Sequence, residues 1–233
     1  MIIENKNVIL SSLKNYLSEI KSENTDMRYR ALSYYEGMQG DMENDLSKYF
    51  PMKSLEIPMV CQNITAKLIN ARAICYKNVP QRNNQDYIDI VKDLDQTMLT
   101  AERLTYLLGS HLIRSRYNEE DEKIHYDQII EFEPLFEPRA KKPFGYLYPI
   151  YNHGQTRQDK VVYAYWSNEK HFLIDQNGEV ESVNDEDINP YGILPFTVCH
   201  RHPYTTDFMR NGATDIVNAH LMINLLMTEL GLA

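Results

Sequence analysis

The 233-residue sequence contains little glycine and no glycine-rich loop. Its 9 glycines form neither GxGxxG nor GxxxxGKS/T, so the usual loops that bind nucleotide phosphates are missing. The hydrolase signatures GxSxG and HExxH do not occur either. These absences argue against the commonest enzyme classes, and we expect a protein that is not an enzyme and holds no cofactor.

Cysteine, cationic charge and long apolar runs are also scarce. The three cysteines, Cys61, Cys75 and Cys199, form no CxxC pair, which favours reduced thiols over a disulfide framework or a zinc ribbon. Cys61 and Cys75 flank an apolar helical face, and we expect both to be buried and inert. With 24 Lys and Arg against 33 Asp and Glu, the net charge of -9 is opposite in sign to that of most DNA-binding modules.

No stretch approaches the ~20 consecutive apolar residues of a membrane span, and the first residues lack a signal-peptide run. We therefore expect a soluble, intracellular chain. Its 43% hydrophobic and 24% charged residues are ordinary for a folded domain.

Apolar residues at three- and four-residue spacing predict helices. Asn24 to Asp26 is typical of a helix stop followed by a new N-cap, and the polar stretch 38–53 is interpreted as a loop. The predicted helices cover residues 9–20, 27–36, 59–73, 86–108 and 207–230.

From Gly109 onward, alternating apolar and polar residues predict short antiparallel strands, and Asn177-Gly178 is a hairpin signal. The predicted strands cover residues 111–117, 124–132, 146–151, 160–166, 171–175, 179–183 and 193–199. The fold class is therefore α+β: N-terminal helices, antiparallel strands in the middle and a C-terminal helix. We expect a helical region over 1–80 and an α+β region over 81–233, which together could form one continuous domain.

One candidate metal site arises from the HxH pair His200 and His202, which would share a face of a strand. The remaining ligands would have to come from His153, His171 or Asp207, which lie elsewhere in the sequence. A polar cluster at the end of a strand explains the pair better, and we expect no bound metal.

Charged clusters are a second candidate for chemistry. Carboxylates crowd residues 119–122 and recur at Glu179, Glu181, Asp185, Glu186 and Asp187. Paired carboxylates serve in acid–base catalysis, but like-charged runs in turns are usually exposed faces, and we expect that here. Arg139, Lys141 and Lys142 beside Phe144 either contact phosphate or offset the acidic turn, and the second interpretation is favoured.

A family resemblance is carried by Asn189-Pro190-Tyr191-Gly192-Ile193-Leu194-Pro195-Phe196, followed by a helix with Asp215 and Asn224. This order resembles the portal proteins of tailed bacteriophages, in which such a turn and strand lead into a helix with an Asp and a later Asn. Upstream, Tyr34-Tyr35-Glu36-Gly37 and the series Asn63, Lys67, Leu68, Ile69, Ala73, Tyr76 and Pro80 resemble earlier elements of the same family.

The resemblance implies a subunit of a twelve-fold ring at one capsid vertex, located in the virion and, during assembly, in the host cytoplasm. Its partners would be other copies of itself, the major capsid protein and scaffold, the terminase packaging motor and the head-tail adaptor. Double-stranded DNA would pass through without sequence-specific binding, which the acidic net charge suits. Gly192 and Pro195 would shape the turn, Asp215 and Asn224 would orient the last helix toward a stem, and Ile216, Ile223 and Leu226 would pack it.

Portal proteins are usually much longer than this chain, so the resemblance implies the N-terminal, wing-side part or a shortened relative. Two alternatives remain open. The chain could be another virion adaptor or a small interaction module, or a metal-dependent enzyme that uses His200 and His202.

Overall fold

The computed structural model describes residues 6–16, 19–50, 60–137, 139–151, 161–175, 177, 179–183, 187–202, 208–209 and 212–232, without the side chains of 6–8, 19–22 and 232. This part of the chain confirms the predicted α+β fold, with helices first, antiparallel sheets in the middle and a helix last. The elements are α1 (Lys6–Tyr16), α2 (Glu19–Glu36), α3 (Gln39–Ser47), α4 (Ile64–Arg72), α5 (Gln85–Ile90), α6 (Leu94–Leu108), β1 (Ser110–Asn118), β2 (Lys123–Ile129), β3 (Glu133–Leu135), β4 (Gly145–Ile150), β5 (Val162–Ser167), β6 (His171–Ile174), β7 (Val180–Ser182), β8 (Phe196–His200) and α7 (Thr214–Leu232).

A five-stranded sheet has the order β3-β4-β5-β6-β7, with each strand antiparallel to its neighbours. Strands that are consecutive in the chain are neighbours in the sheet; for example, Trp166 of β5 lies opposite His171 of β6. The central strand β5 is buried along nearly its whole length. Both of its faces are covered, which is why its sequence is a continuous apolar run rather than an alternation.

One face of this sheet packs against α1. The Tyr16 hydroxyl donates a hydrogen bond to the buried Glu131 carboxylate, which also accepts one from the Tyr151 hydroxyl at 2.9 Å. Burial and the adjacent Glu131 charge raise the pKa of Tyr16 far above its ordinary range, so the phenol stays protonated and acts as the donor. The apolar core around this pair consists of Ile9, Leu13, Leu135, Leu147, Val161, Tyr163, Tyr165, Phe172 and Ile174.

A three-stranded sheet has the order β2-β1-β8. The Ser115 N–H donates to the Pro195 carbonyl, and the Arg201 N–H donates to the Gly109 carbonyl, both at 2.9 Å. Residue numbers rise along one strand and fall along the other, so β1 and β8 are antiparallel. The predicted hairpin across the charged turn after Asn118 is confirmed, because β1 and β2 are neighbours in the sheet.

The chain forms two compact units. The first consists of residues 1–25, 111–120 and 124–198 and contains the five-stranded sheet. The second consists of residues 26–110, 121–123 and 199–233, and in it α7 packs against α3 and α4, while α4 also packs against α6. Among the described residues, no helix combines the length and apolar character needed to cross a bilayer. The predicted boundary at residue 80 stays a prediction.

Four predictions about the helices differ from the structure. Instead of stopping near residue 25, α2 runs unbroken from Glu19 to Glu36 and buries Thr25. Residues 39–47, interpreted as a loop, form α3, because Met42 and Leu46 lie one turn apart and are both buried. Polar residues cover the rest of α3, so two buried side chains and tertiary packing, rather than local propensity, hold this helix.

The helix predicted over 86–108 is in fact two. It breaks at Asp93, whose left-handed φ of 46° separates α5 from α6. Val91 just before the break is extended and buried, so it is not part of a helix, although its spacing predicted that it would be. The helix predicted over 59–73 begins later, at the N-cap Asn63, whose side chain accepts a hydrogen bond from the Ala66 N–H. Its predicted first residues, Pro58 and Met59, lie outside the described residues.

Candidate functional site

The turn that carries the family resemblance is built around Asn189, which is buried. Its side-chain nitrogen donates to the carbonyls of Ser167 at 2.7 Å and Ile193 at 2.8 Å, and its Oδ1 accepts from the Tyr191 N–H at 3.0 Å. Gly192 completes the turn with a left-handed φ of 64°, which a side chain would disfavour. Asn189 therefore uses its whole amide to hold this turn against the end of β5.

Phe196, which follows the turn, packs against the five-stranded sheet. Its ring meets those of Tyr146 and Trp166 edge to face, with centroids 5.3 and 5.8 Å apart. Pro195 just before it supplies the carbonyl that pairs β8 with β1, whereas Pro190 is exposed. These residues shape the turn and the start of β8, and their predicted role as a portal motif stays a prediction.

Trp166 is also the centre of a stacked group. The His171 ring lies parallel to the indole at 3.6 Å, and the Arg114 guanidinium lies 5.0 Å from its centre. Burial, with a smaller contribution from the Arg114 charge, lowers the pKa of His171, although its hydrogen bond to the Tyr165 carbonyl acts the other way. His171 is therefore a neutral, stacked side chain in the sheet.

In the second unit, α7 is fixed by a row of buried polar side chains, which we call the polar seam: His220, Asn224 and Thr228. Asn224 Oδ1 accepts from the Gln62 N–H, and Thr228 Oγ1 accepts from the Val60 N–H, both at 3.1 Å. His220 Nδ1 lies 2.8 Å from Thr65 Oγ1. Residues 60–63 before α4 are in neither a helix nor a strand, so α7 supplies acceptors for these N–H groups.

The sequence analysis singled out Asn224 but missed His220, Thr228 and Thr65. The signal was present, because residues 220, 224 and 228 are spaced by four and share one helix face. Spacing alone does not show that this face is the buried one. Burial lowers the pKa of His220, partly offset by the Gln62 backbone, so this histidine is a neutral hydrogen-bonding group.

The opposite side of α7 presents large apolar side chains to solvent, and we call it the apolar stripe. At 100° per residue, its members fall within an arc of about 140°. They are Met222 (49% exposed), Ile223 (42%), Leu226 (53%), Met227 (45%) and Leu230 (72%).

Among the residues predicted to pack this helix, only Ile216 is buried within its own unit. Ile223 and Leu226 belong to the apolar stripe and do not pack in the core of their own unit, so a contact with another subunit, the other role predicted for them, stays a prediction. Asp215 is exposed in the first turn, where its negative charge is favourable near the positive end of the helix dipole.

The two histidines of the candidate metal site lie in different environments. His200 Nδ1 lies 2.8 Å from Ser110 Oγ, and its ring packs against Phe208 at 4.8 Å, whereas His202 lies past the end of β8 and is exposed. Within the described part of the chain, no three His, Cys, Asp or Glu side chains are grouped as metal ligands. His153 and Asp207 lie outside the described residues.

Charged surface groups are mostly exposed, as predicted for the acidic stretches. Asp121 forms an ion pair with Lys92 at 3.2 Å. Glu181 in β7 and Glu179 directly before it are exposed, and Asp187 is half-buried. Asp185 and Glu186 lie outside the described residues. Arg139, Lys141 and Lys142 are exposed between β3 and β4, whereas Phe144 packs against the core under α1.

The thiols differ from expectation. Cys75 is exposed, and Cys61 is only half-buried. The Glu102 carboxylate accepts hydrogen bonds from the backbone N–H groups of Cys75 and Tyr76, at 3.0 and 3.1 Å, and raises the pKa of the Cys75 thiol. The prediction that Cys75 is buried was therefore wrong.

Comparison of the sequence with known protein families and with curated proteins found no match.

Proposed function

We propose that this chain is a structural subunit of a tailed-bacteriophage portal ring, the channel through which double-stranded DNA enters and leaves the head. The observation that carries the proposal is the apolar stripe on α7. It lies on the helix that the resemblance places after the Asn189–Phe196 turn, where portal subunits extend toward their stem.

An exposed stripe of five large apolar residues on one helix is unfavourable in water and is typical of a contact surface. The composition of α7 strengthens this argument. The helix buries polar residues such as Asn224 and Thr228 while it exposes Leu226 and Leu230. The apolar stripe is therefore available for a partner rather than for the core of its own chain.

A ring of identical subunits needs two different complementary surfaces on each copy. The apolar stripe would serve as one of them, as a helix packing against a neighbouring subunit. Around this ring, the resemblance implies contacts with the major capsid protein and scaffold, the terminase motor and the head-tail adaptor. The net charge of -9 suits a channel wall that DNA must pass without adhering.

The test is the oligomeric state of the purified chain, measured by mass photometry with negative-stain imaging. We expect rings of about a dozen copies for the natural sequence, as in the family that it resembles. Leu226→Glu places a charge in the apolar stripe, and a charge buried without a partner is costly. The protein concentration needed to form rings should therefore rise by at least tenfold.

Asn218→Glu is the matched control, since it adds the same charge at an exposed position of α7 that lies outside the arc of the apolar stripe. It should leave both the rings and the melting temperature unchanged. A natural chain that stays monomeric at every concentration, with a cooperative melting transition, would contradict the proposal. An interaction module that binds a different protein would then be the better interpretation.

A further inference from the structure

The two ends of the five-stranded sheet carry opposite charges. At one end, β7 is an edge strand whose residues are all exposed, and it carries Glu181, with Glu179 directly before it. Neither carboxylate forms an ion pair with another described residue. We call residues 179–183 the acidic edge.

At the other end, the loop between β3 and β4 exposes Arg139, Lys141 and Lys142. Glu137 is the one carboxylate in residues 136–144, so three cations and one anion leave this loop with a net charge of +2. We call it the basic loop. It lies where β3 ends and β4 begins, with Leu135 opposite Gly145, four strand positions across the sheet from β7.

Each end also exposes apolar side chains beside its charges. Val180 is 37% and Val183 49% exposed on the acidic edge, and Phe136 is 37% exposed on the basic loop. The two surfaces thus match in charge and in apolar character. Surfaces that match in this way, on opposite ends of one sheet, cannot meet within a single copy.

The backbone favours a contact through side chains. The Asp175 N–H donates to the Glu179 carbonyl, so the alternation of an antiparallel ladder leaves the backbone groups of Val180 and Ser182 facing away from β6. On β3, Pro134 has no N–H to give. A continuous backbone hydrogen-bond ladder between β7 of one copy and β3 of the next would therefore lack the donor at Pro134. The exposed Glu181 carboxylate can instead form an ion pair with a cation of the second copy.

From this arrangement we infer that the acidic edge of one copy binds the basic loop of a second copy, head to tail. Such a contact joins two different surfaces and leaves one of each unused at the ends of a chain of copies. It therefore propagates, and it forms a ring when the rotation between neighbouring copies closes. The inference rests on the proposed function, because it supplies a second surface for that ring. Attraction between the charges would also orient approaching copies.

Charge reversal tests the contact. Glu181→Lys and Lys142→Glu should each weaken self-association by roughly fivefold to tenfold at low salt, since an attractive pair becomes repulsive. A chain with both changes should recover most of the loss, and an equimolar mixture of the two single variants should associate better than either alone. Glu119→Lys, which makes the same charge change at an exposed turn of the same unit, is the control and should have no effect.

Carbodiimide cross-linking of a mixture of isotopically light and heavy chains gives an independent readout. Cross-links between Lys142 and Glu181 should join light to heavy chains. If the natural chain forms rings but Glu181→Lys behaves like Glu119→Lys, the inferred contact is overturned and the proposed function stands. If the natural chain forms only closed dimers or stays monomeric, both are overturned.

Discussion

Asn224 accepts a hydrogen bond through Oδ1 from the backbone N–H of Gln62 at 3.1 Å, across 162 positions of sequence. The bond joins α7 to the irregular segment before α4. Asn224 is buried, whereas the donor residue Gln62 is exposed, so removal of the side chain deletes the buried acceptor of this bond. The relationship therefore makes a specific prediction about stability.

Asn224→Ala should lower the free energy of unfolding by about 1 kcal/mol, because it removes the acceptor of the Gln62 N–H from a buried position of α7. Asn218→Ala makes the same substitution at an exposed position of α7 and is the matched control. It should leave stability unchanged or raise it by less than about 1 kcal/mol, because alanine is the better helix former. Urea unfolding followed by circular dichroism measures both. Equal midpoints for the two variants would show that the bond to Gln62 contributes nothing.

Gly212→Ala should be strongly destabilising, by about 3 kcal/mol or more. The Ala213 N–H donates to the Leu107 carbonyl at 2.7 Å, and this holds the backbone against the end of α6. A Cβ at residue 212 would overlap the Leu107 oxygen and come within 2.5 Å of the Leu108 carbonyl carbon. Those atoms belong to the backbone and cannot rotate away.

The control for this change is Gly40→Ala in α3, where nothing lies within 4 Å of the added carbon. Helix propensity predicts a gain of up to about 1 kcal/mol there. Thermal unfolding of the two variants should therefore shift in opposite directions. A Gly212→Ala protein as stable as the natural chain would mean that the approach to α6 is looser than described.

Stability should fall as pH drops below about 6.5, and His220 should account for part of the fall. Burial lowers the pKa of His220 in the folded chain below the ordinary value of 6.5. Below that value the unfolded chain takes up a proton that the folded chain resists, so acid favours unfolding. Above it the histidine is neutral in both states, and its contribution is retained.

His220→Gln should lower the free energy of unfolding at neutral pH, because the contact with Thr65 changes. It should also reduce the decrease in that free energy between pH 7.5 and pH 5.5, which spans the ordinary histidine pKa of about 6.5. His202→Gln, at an exposed position, should leave the slope as it is. The comparison uses urea unfolding midpoints at several pH values. The same slope in the natural chain and in His220→Gln would exclude His220 as a contributor.

The sequence by itself determined four strands of the five-stranded sheet, β4 to β7, whereas β3 was not predicted. Neighbouring strands of this sheet are also consecutive in the chain, so their pairing does not depend on distant segments. The predicted strands around residues 146–183 accordingly match β4 to β7 to within a few residues. The turn at Asn189 to Phe196 was also predicted, since proline and glycine restrict or extend the backbone locally.

Only the tertiary structure decided the features that depend on distant partners. Met42 and Leu46 form α3 because α7 packs against it, and the polar sequence between them gives no such signal. For α7 itself, apolar residues occur on both sides, so periodicity could not reveal which side is buried. The N–H groups of residues 60 and 62 donate to Thr228 and Asn224, so the side of α7 that carries these polar residues is the buried one. Leu226 and the rest of the apolar stripe therefore face solvent.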